Sequence, residues 1–185
     1  MNNKKHTIIQ WNCRGVKPNL EEIRGLIAEH NPPLLCLQET RFNDNNNAIL
    51  EKNFDTYNKI SKSITDGRAI GGSSILVKRG IPHELIHLNT DLQAVAVKVT
   101  LHRTFTICSA YIPPSYKLRQ AEIDQLVNQL PTPYLLLGDF NAHSDLWGDA
   151  RNDLMGNIME KVIENFDLCL LNDGSLTYIH PATDR

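Results

Sequence analysis

Residues 93–111, QAVAVKVTLHRTFTICSAY, constrain the fold more than any other stretch of the chain. Apolar residues alternate through 93–101, the two-residue period of a strand with one buried face, and a second strand-like run, TFTICSAY (104–111), follows across "HR". So short a connection joins antiparallel neighbours, because a parallel crossover needs a dozen residues or more. FDTYNKI and SSILVK, which precede this hairpin, also read as strands, with no crossover helix between them. Toward both ends the pattern changes, and strands alternate with helices. HTIIQWN (6–12) reads as a strand ending at Asn12. Pro18 and Asn19 then open a helix with Asn19 as N-cap, Glu22 at the capping-box position, and Ile23, Leu26 and Ile27 on one face. PLLCLQE (33–39) is a second apolar strand, ending on Glu39. Leu118, Ile123, Leu126, Val127 and Leu130 predict an amphipathic helix from about 117 to 129, followed by strand YLLLGD, helix LMGNIMEKVIENF and strand LCLLN. Asn, Asp and Gly crowd 43–47 and 65–72, which marks loops. A doubly wound parallel sheet is excluded in the middle of the chain; a mixed sheet, or two packed sheets with helices outside, fits the order.

Composition narrows the function classes. With 185 residues, 41% of them hydrophobic, one domain with a sizeable core is expected. No apolar stretch reaches 18 residues, and MNNKKHTIIQ has lysines but no apolar segment or small-residue cleavage site. The expectation is a nuclear or cytoplasmic chain with no export signal and no membrane partner. Cys13, Cys36, Cys108 and Cys169 lie in or beside apolar runs, with no C-x-x-C pair or zinc-finger histidine spacing, and read as buried reduced thiols. A formal net charge of -2 argues against nucleic-acid binding through bulk positive charge, but not against an enzyme that brings cations to phosphates. Locally, residues 59–79 hold Lys59, Lys62, Arg68, Lys78 and Arg79 against the single acid Asp66, a candidate phosphate-contacting stretch.

The residues fit for chemistry sit where strands stop. Four apolar runs end in polar groups: Asn12, Glu39, Tyr111, and Asp139 with Asn141. If these ends share one rim, they present two carboxylates, two amides and a phenol. That is an oxygen-rich site suited to Mg²⁺, which keeps several waters and binds through one or two carboxylates plus substrate phosphates. Such an ion neutralises a phosphoryl oxygen, lowers the pKa of water and stabilises a leaving oxygen, as phosphodiester hydrolysis requires.

QWNCRG, CLQET, AYIPP and LLLGDFNAH, in this order, resemble the endonuclease/exonuclease/phosphatase superfamily, which includes exonuclease III-type abasic endonucleases and DNase I. LQETR, GDFNAHSDLWG and LLNDGSLTYIHPAT look most like endonuclease domains of jockey-like non-LTR retrotransposons, and the resemblance covers essentially the whole chain. It implies an α/β fold, a four-layer α/β/β/α sandwich of two mixed, largely antiparallel sheets. It implies Mg²⁺ (or Mn²⁺) as cofactor, double-stranded DNA as partner, and a reverse transcriptase domain downstream in the full protein. By motif, Asn12 orients the attacking water and the scissile phosphate, and Glu39 binds the metal. Tyr111 hydrogen-bonds a phosphate oxygen, and Asp139 activates or orients the nucleophilic water with Asn141 beside it. Thr177, in LTY, matches a site-proximal Thr, and His143, Arg14 and Arg68 are candidate substrate contacts.

One departure qualifies the likeness. The family places a further Asp after the segment matching TYIHPAT and ends on a Ser-Asp-His strand whose His contacts the phosphate. The sequence stops at Arg185, before both, and His180 and Asp184 belong to the earlier segment. The expectation is a domain lacking its last strands and, alone, poorly soluble and inactive. Two alternatives stay open at this point: another phosphodiesterase or phosphatase of the superfamily, or a non-catalytic DNA-binding remnant.

Overall fold

Two four-stranded sheets are packed face to face, each carrying one parallel strand pair made by a helical crossover. The structure, a computed structural model, describes residues 6–42, 54–59, 68–175 and 177. In chain order these residues form β1 (Ile8–Asn12), α1 (Leu20–His30), β2 (Leu34–Gln38), β3 (Phe54–Lys59), β4 (Ser73–Lys78), β5 (His83–Ile86), β6 (Gln93–Thr100) and β7 (Thr104–Tyr111). These are followed by α2 (Gln120–Asn128), β8 (Tyr134–Asp139) and α3 (Leu154–Asn165). The sheets run β1-β2-β4-β3 and β5-β6-β7-β8. β1 pairs parallel with β2 and β7 with β8, while the other neighbours are antiparallel.

Burial defines the four layers. Ile23 of α1 packs with Val16, Leu35, Leu37 and Leu76 on the outer face of the first sheet. Ile123, Leu126 and Val127 of α2, with Met159 and Val162 of α3, cover Ala94, Ala96, Cys108 and Ala110 on the outer face of the second. Between the sheets, Leu34, Cys36, Ile75 and Val77 meet Val95, Val97, Val99 and Ile107. β2 is buried on both faces, which explains why its sequence is an unbroken apolar run rather than an alternating one. The expected α/β/β/α arrangement is the one observed.

Several local expectations are corrected. Asn19 precedes α1, but its side chain makes no cap; its Nδ2 donates instead to the carbonyls of Cys13 (2.6 Å) and Gly15 (3.1 Å), donor groups that the β1–α1 loop needs. LCLLN (168–172) is not a strand: no ladder partner lies beside it among the described residues, and Leu171 is exposed. β5 (HELI) is a strand that the sequence pattern does not mark, because its two polar residues adjoin and its two apolar residues adjoin instead of alternating. Cys13, Cys36 and Cys108 are buried thiols as expected, but Cys169 is exposed.

The basic stretch 59–79 is not one patch. β4 runs from Ser73, beside Gln38 at one end of the sheet, to Lys78, beside Phe54 at the other. Lys78 there binds Asn31 Oδ1 (2.5 Å), and Arg79 pairs with Asp55 (3.3 Å). A strand advancing about 3.4 Å per residue separates these two cations from the Ser73 end by more than ~15 Å. Lys62, His180 and Asp184 lie outside the described residues.

Candidate active site

Parallel pairing places four strand ends at one rim. The registers Asn12↔Gln38 and Tyr111↔Asp139 bring β1 and β2 to an end together in one sheet, and β7 and β8 in the other. The sheets face each other, so the polar groups converge. Asn12 Nδ2 donates to Glu39 Oε1 (2.8 Å) and to Asp139 Oδ2 (2.6 Å), joining the two carboxylates across the sandwich. Its Oδ1 accepts the backbone N–H of Arg14 (3.2 Å), which fixes which way the amide faces. Tyr111 hydrogen-bonds Glu39 from the second sheet. Asn141 donates its backbone N–H to Asp139 Oδ1 (3.1 Å) and its Nδ2 to the Ile112 carbonyl (2.9 Å), leaving its amide oxygen as the group available to a ligand.

The backbone around these side chains is unusual. Arg14, Glu39, Arg41 and Asn141 all have positive φ, at 47°, 51°, 50° and 46°. Asn adopts this conformation readily, but Glu and Arg do so at a cost of about 1–3 kcal/mol each, and such residues concentrate where function demands a particular side-chain direction. The two other described non-glycine residues of this kind, Asn31 and Asp167, follow helix ends. Gly138, at φ 152°, is required by proximity as well: a Cβ there would lie 1.9 Å from the Ala110 carbonyl oxygen, so only glycine lets β8 approach β7 beside Asp139.

Electrostatics divides the roles. Burial works to raise the Glu39 carboxyl, but hydrogen bonds from Asn12, Arg41 and Tyr111 and the Arg41 charge outweigh it, holding the group below the usual carboxylate range. Tyr111 is pushed strongly upward, by burial first and then by the negative charges of Glu39 and Asp139, so it is a neutral O–H donor. Cys13 is close by in sequence, but burial pushes its thiol up to about 11 and removes it as a thiolate ligand. Glu39, Asp139 and the amide oxygens are hard donors, which fits a cation that retains water and completes its shell with substrate phosphate.

The structure thus brings together Asn12, Glu39, Tyr111, Asp139 and Asn141, with the Arg14 backbone adjoining. His143 stands apart with its own partners. Its Nδ1 is 2.6 Å from Asp149 Oδ2, and Arg151 Nη2 lies 3.4 and 3.3 Å from its two ring nitrogens. The His143 loop is clamped to α3: a Cβ on Gly156 would lie 1.9 Å from the His143 carbonyl oxygen, and Asp153 Oδ1 accepts the His143 N–H (3.2 Å). Arg68 is exposed and leads into Gly71–Gly72, and Thr177 is exposed on a bend with no described contact to the rim.

Two residues were missed at the sequence level. Arg41 Nη2 reaches Glu39 Oε2 (3.1 Å), and its backbone N–H donates to the Gly71 carbonyl (2.8 Å). Its position in LQETR, two residues past Glu39, was the available signal. Gln93 Oε1 accepts the Gly72 N–H (2.5 Å), tying that glycine pair to the second sheet; nothing in the sequence marked it.

Known proteins resemble the chain over nearly its whole length. The RNA-directed DNA polymerase from mobile element jockey of Drosophila funebris is 26% identical over 171 residues, 91% of this chain but 18% of the relative. A probable RNA-directed DNA polymerase from transposon X-element of Drosophila melanogaster is 25% identical over 174 residues, 92% and 19% respectively, so the chain spans less than a fifth of either relative. Among solved structures, the endonuclease domain of TRAS1, a telomere-specific non-LTR retrotransposon, superposes with a TM-score of 0.71 at 19% identity, covering 91% of this chain and 76% of that one. An AP endonuclease from Archaeoglobus fulgidus gives 0.62 at 15% identity, covering 87% and 71%. The structural likenesses are likenesses of fold. The family model of the endonuclease/exonuclease/phosphatase family matches residues 9–181, with the convergent strand ends inside the match, and the chain belongs to that family.

Proposed function

We propose that the chain, within the complete domain of its full protein, hydrolyses phosphodiester bonds in double-stranded DNA with a divalent oxygen-preferring cation, Mg²⁺ or Mn²⁺, nicking target DNA as the endonuclease module of a non-LTR retrotransposon protein that also carries a reverse transcriptase. The observation that carries this reading is the Asn12 amide donating to both Glu39 and Asp139 beside the Tyr111 hydroxyl. Glu39 would hold the cation, which when bound neutralises a phosphoryl oxygen and favours ionisation of water. Tyr111, kept protonated, donates to a non-bridging phosphate oxygen. Asp139, oriented by Asn12 and by the Asn141 N–H, takes the proton of the attacking water, and the Asn141 carbonyl helps to place that water. Arg41 brings positive charge to the same rim, and Arg14 and Arg68 are read as contacts to further phosphates.

Nicking of supercoiled plasmid in Mg²⁺, abolished by chelator, tests the reading. Glu39→Gln preserves shape and removes charge, and activity should fall at least on the order of a hundredfold. Unchanged nicking at saturating Mg²⁺ would remove Glu39 from the site. Release of phosphate from a monoester, without any nicking, would move the chain to a phosphatase branch of the family.

A further inference from the structure

One layer beneath the rim, the material between the sheets changes character. Gln38 directly precedes Glu39 and lies in register with Asn12 and Ser73, Ser109 lies two residues before Tyr111, and Gln10 lies two residues before Asn12, opposite Cys36; two positions further down, β2, β4 and β7 carry the apolar Cys36, Ile75 and Ile107. Gln38, Ser73 and Ser109 are 0% exposed. Gln38 Nε2 donates to Ser109 Oγ across the sandwich (2.9 Å). Ser73 Oγ meets Ser109 Oγ at 2.8 Å and donates to the Ser109 carbonyl at 3.0 Å, a second crossing between the sheets. Gln10 Nε2 closes the chain on Gln38 Oε1 (2.6 Å).

The location matters because the candidate site is split between sheets. Asn12 and Glu39 come from the first sheet, Tyr111 and Asp139 from the second. Deeper contacts on the same rows, among Cys36, Ile75, Val95, Val97 and Ile107, are apolar, and apolar attraction is not directional, so it tolerates small sliding of one face over the other; another directional crossing, Tyr57 Oη with His83 Nε2 at 2.9 Å, joins β3 to β5 at the edges opposite β1 and β8. Hydrogen bonds have preferred lengths and angles and do not. Gln38 immediately precedes Glu39 in the chain, and Ser109 lies two residues before Tyr111 on the same strand face.

We propose that Gln38, Ser73 and Ser109 are positioning residues, a hydrogen-bonded key between the two sheets that sets the spacing of Glu39 from Asp139 and Tyr111. The proposal rests on the phosphodiesterase reading of the site. A buried, fully paired polar network contributes little net stability relative to an apolar replacement of the same shape, because removing all partners together also removes their desolvation cost. Its contribution lies in specifying one arrangement. Misplacement of reacting groups by about 1 Å can lower a rate by ~100-fold, so a modest loosening is sufficient to be read.

The test is the full chain with Gln38→Met, Ser73→Ala and Ser109→Ala together. The melting temperature should stay within a few degrees of the parent and KM for DNA within about twofold, since the surface is untouched, while kcat falls on the order of tenfold or more. A folded triple variant with the parental kcat overturns the proposal, as does a loss of rate accounted for by unfolded protein. If the triple variant does not fold, Gln38→Met alone carries the same expected split, because Ser73 and Ser109 remain paired and Gln10 can turn to solvent. Should the parent show no nicking, the key is judged by amide exchange, independently of the functional reading. Residues 12–14, 39–41 and 139–141 should then exchange faster in the triple variant while Cys36 and Ile107 stay protected. Unaltered exchange at the rim overturns the key on that evidence alone.

Discussion

Asn12→Ala removes the carboxamide whose nitrogen bridges two carboxylates and whose oxygen accepts the Arg14 N–H, and should change the charge balance of the whole site. That nitrogen holds Glu39 Oε1 at 2.8 Å and Asp139 Oδ2 at 2.6 Å, so the two carboxylate oxygens sit roughly 5 Å apart or less. Without it they face each other. Two unit charges at that separation repel by about 3 kcal/mol at an effective dielectric of ~20, and by less than ~1 kcal/mol in bulk water. A hydrogen bond to a charged group contributes about 1.5–3 kcal/mol, and water restores part of that loss at a half-buried rim. The net destabilisation should be about 2–3 kcal/mol, which in a chain of this length lowers the melting temperature by roughly 4–12 °C. The pH dependence distinguishes this cause from simple loss of packing. Glu39 has a depressed pKa when folded, so its contribution is present above the unfolded value and is lost as pH falls through the folded one. Asn12 is one source of that depression. The melting difference between parent and Asn12→Ala should therefore be greatest near neutral pH and shrink below about pH 4, where carboxylates protonate. Calorimetry of both proteins across that range is the assay. A difference under about 1 °C at neutral pH, or one that stays constant down to about pH 3, would refute the electrostatic account.

Asp139→Ala and Asn141→Ala should each cost nearly as much nicking activity as the double variant, because both position one water; multiplying losses would assign them to separate steps. Gly138→Ala should destabilise by about 2–5 kcal/mol, through strain at φ 152° and the 1.9 Å approach to the Ala110 oxygen, and urea titration would detect the change. Neutralising Arg68 should weaken binding to all DNA sequences similarly and reduce the salt slope by about one unit, whereas an altered cleavage preference with an unchanged slope would indicate base reading. Glu122, held down to about 2 by the Arg119 side chain first and by the Arg119 N–H and Tyr116 hydroxyl, contributes stability that is complete above the ordinary carboxylate range and lost as pH falls through about 2. Glu122→Gln should accordingly melt lower than the parent at neutral pH and converge with it near pH 2.

What the sequence determined by itself was local. The alternation in QAVAVKV, the short "HR" connection and the apolar spacing of Leu118 to Leu130 each specify an element through side-chain period and chain reach, and each element formed where those rules placed it. Asn12, Glu39, Tyr111 and Asp139 were legible as candidates because polar groups ending buried strands are costly unless they are used. Their meeting was not legible. Asn12 and Asp139 are 127 residues apart and belong to different sheets, and their contact depends on strand order and on two parallel pairings that no short window encodes. The same holds for Arg41, whose direction is set by a left-handed backbone anchored to Gly71, and for LCLLN, an apolar run with no strand alongside it among the described residues to form a ladder. Only the tertiary structure decided that Gln38, Ser73 and Ser109 would be buried together, because a polar residue in an apolar run is tolerable only if its partner arrives from elsewhere in the chain, and hydrogen-bond partners, unlike hydrophobic burial, must be supplied one atom at a time.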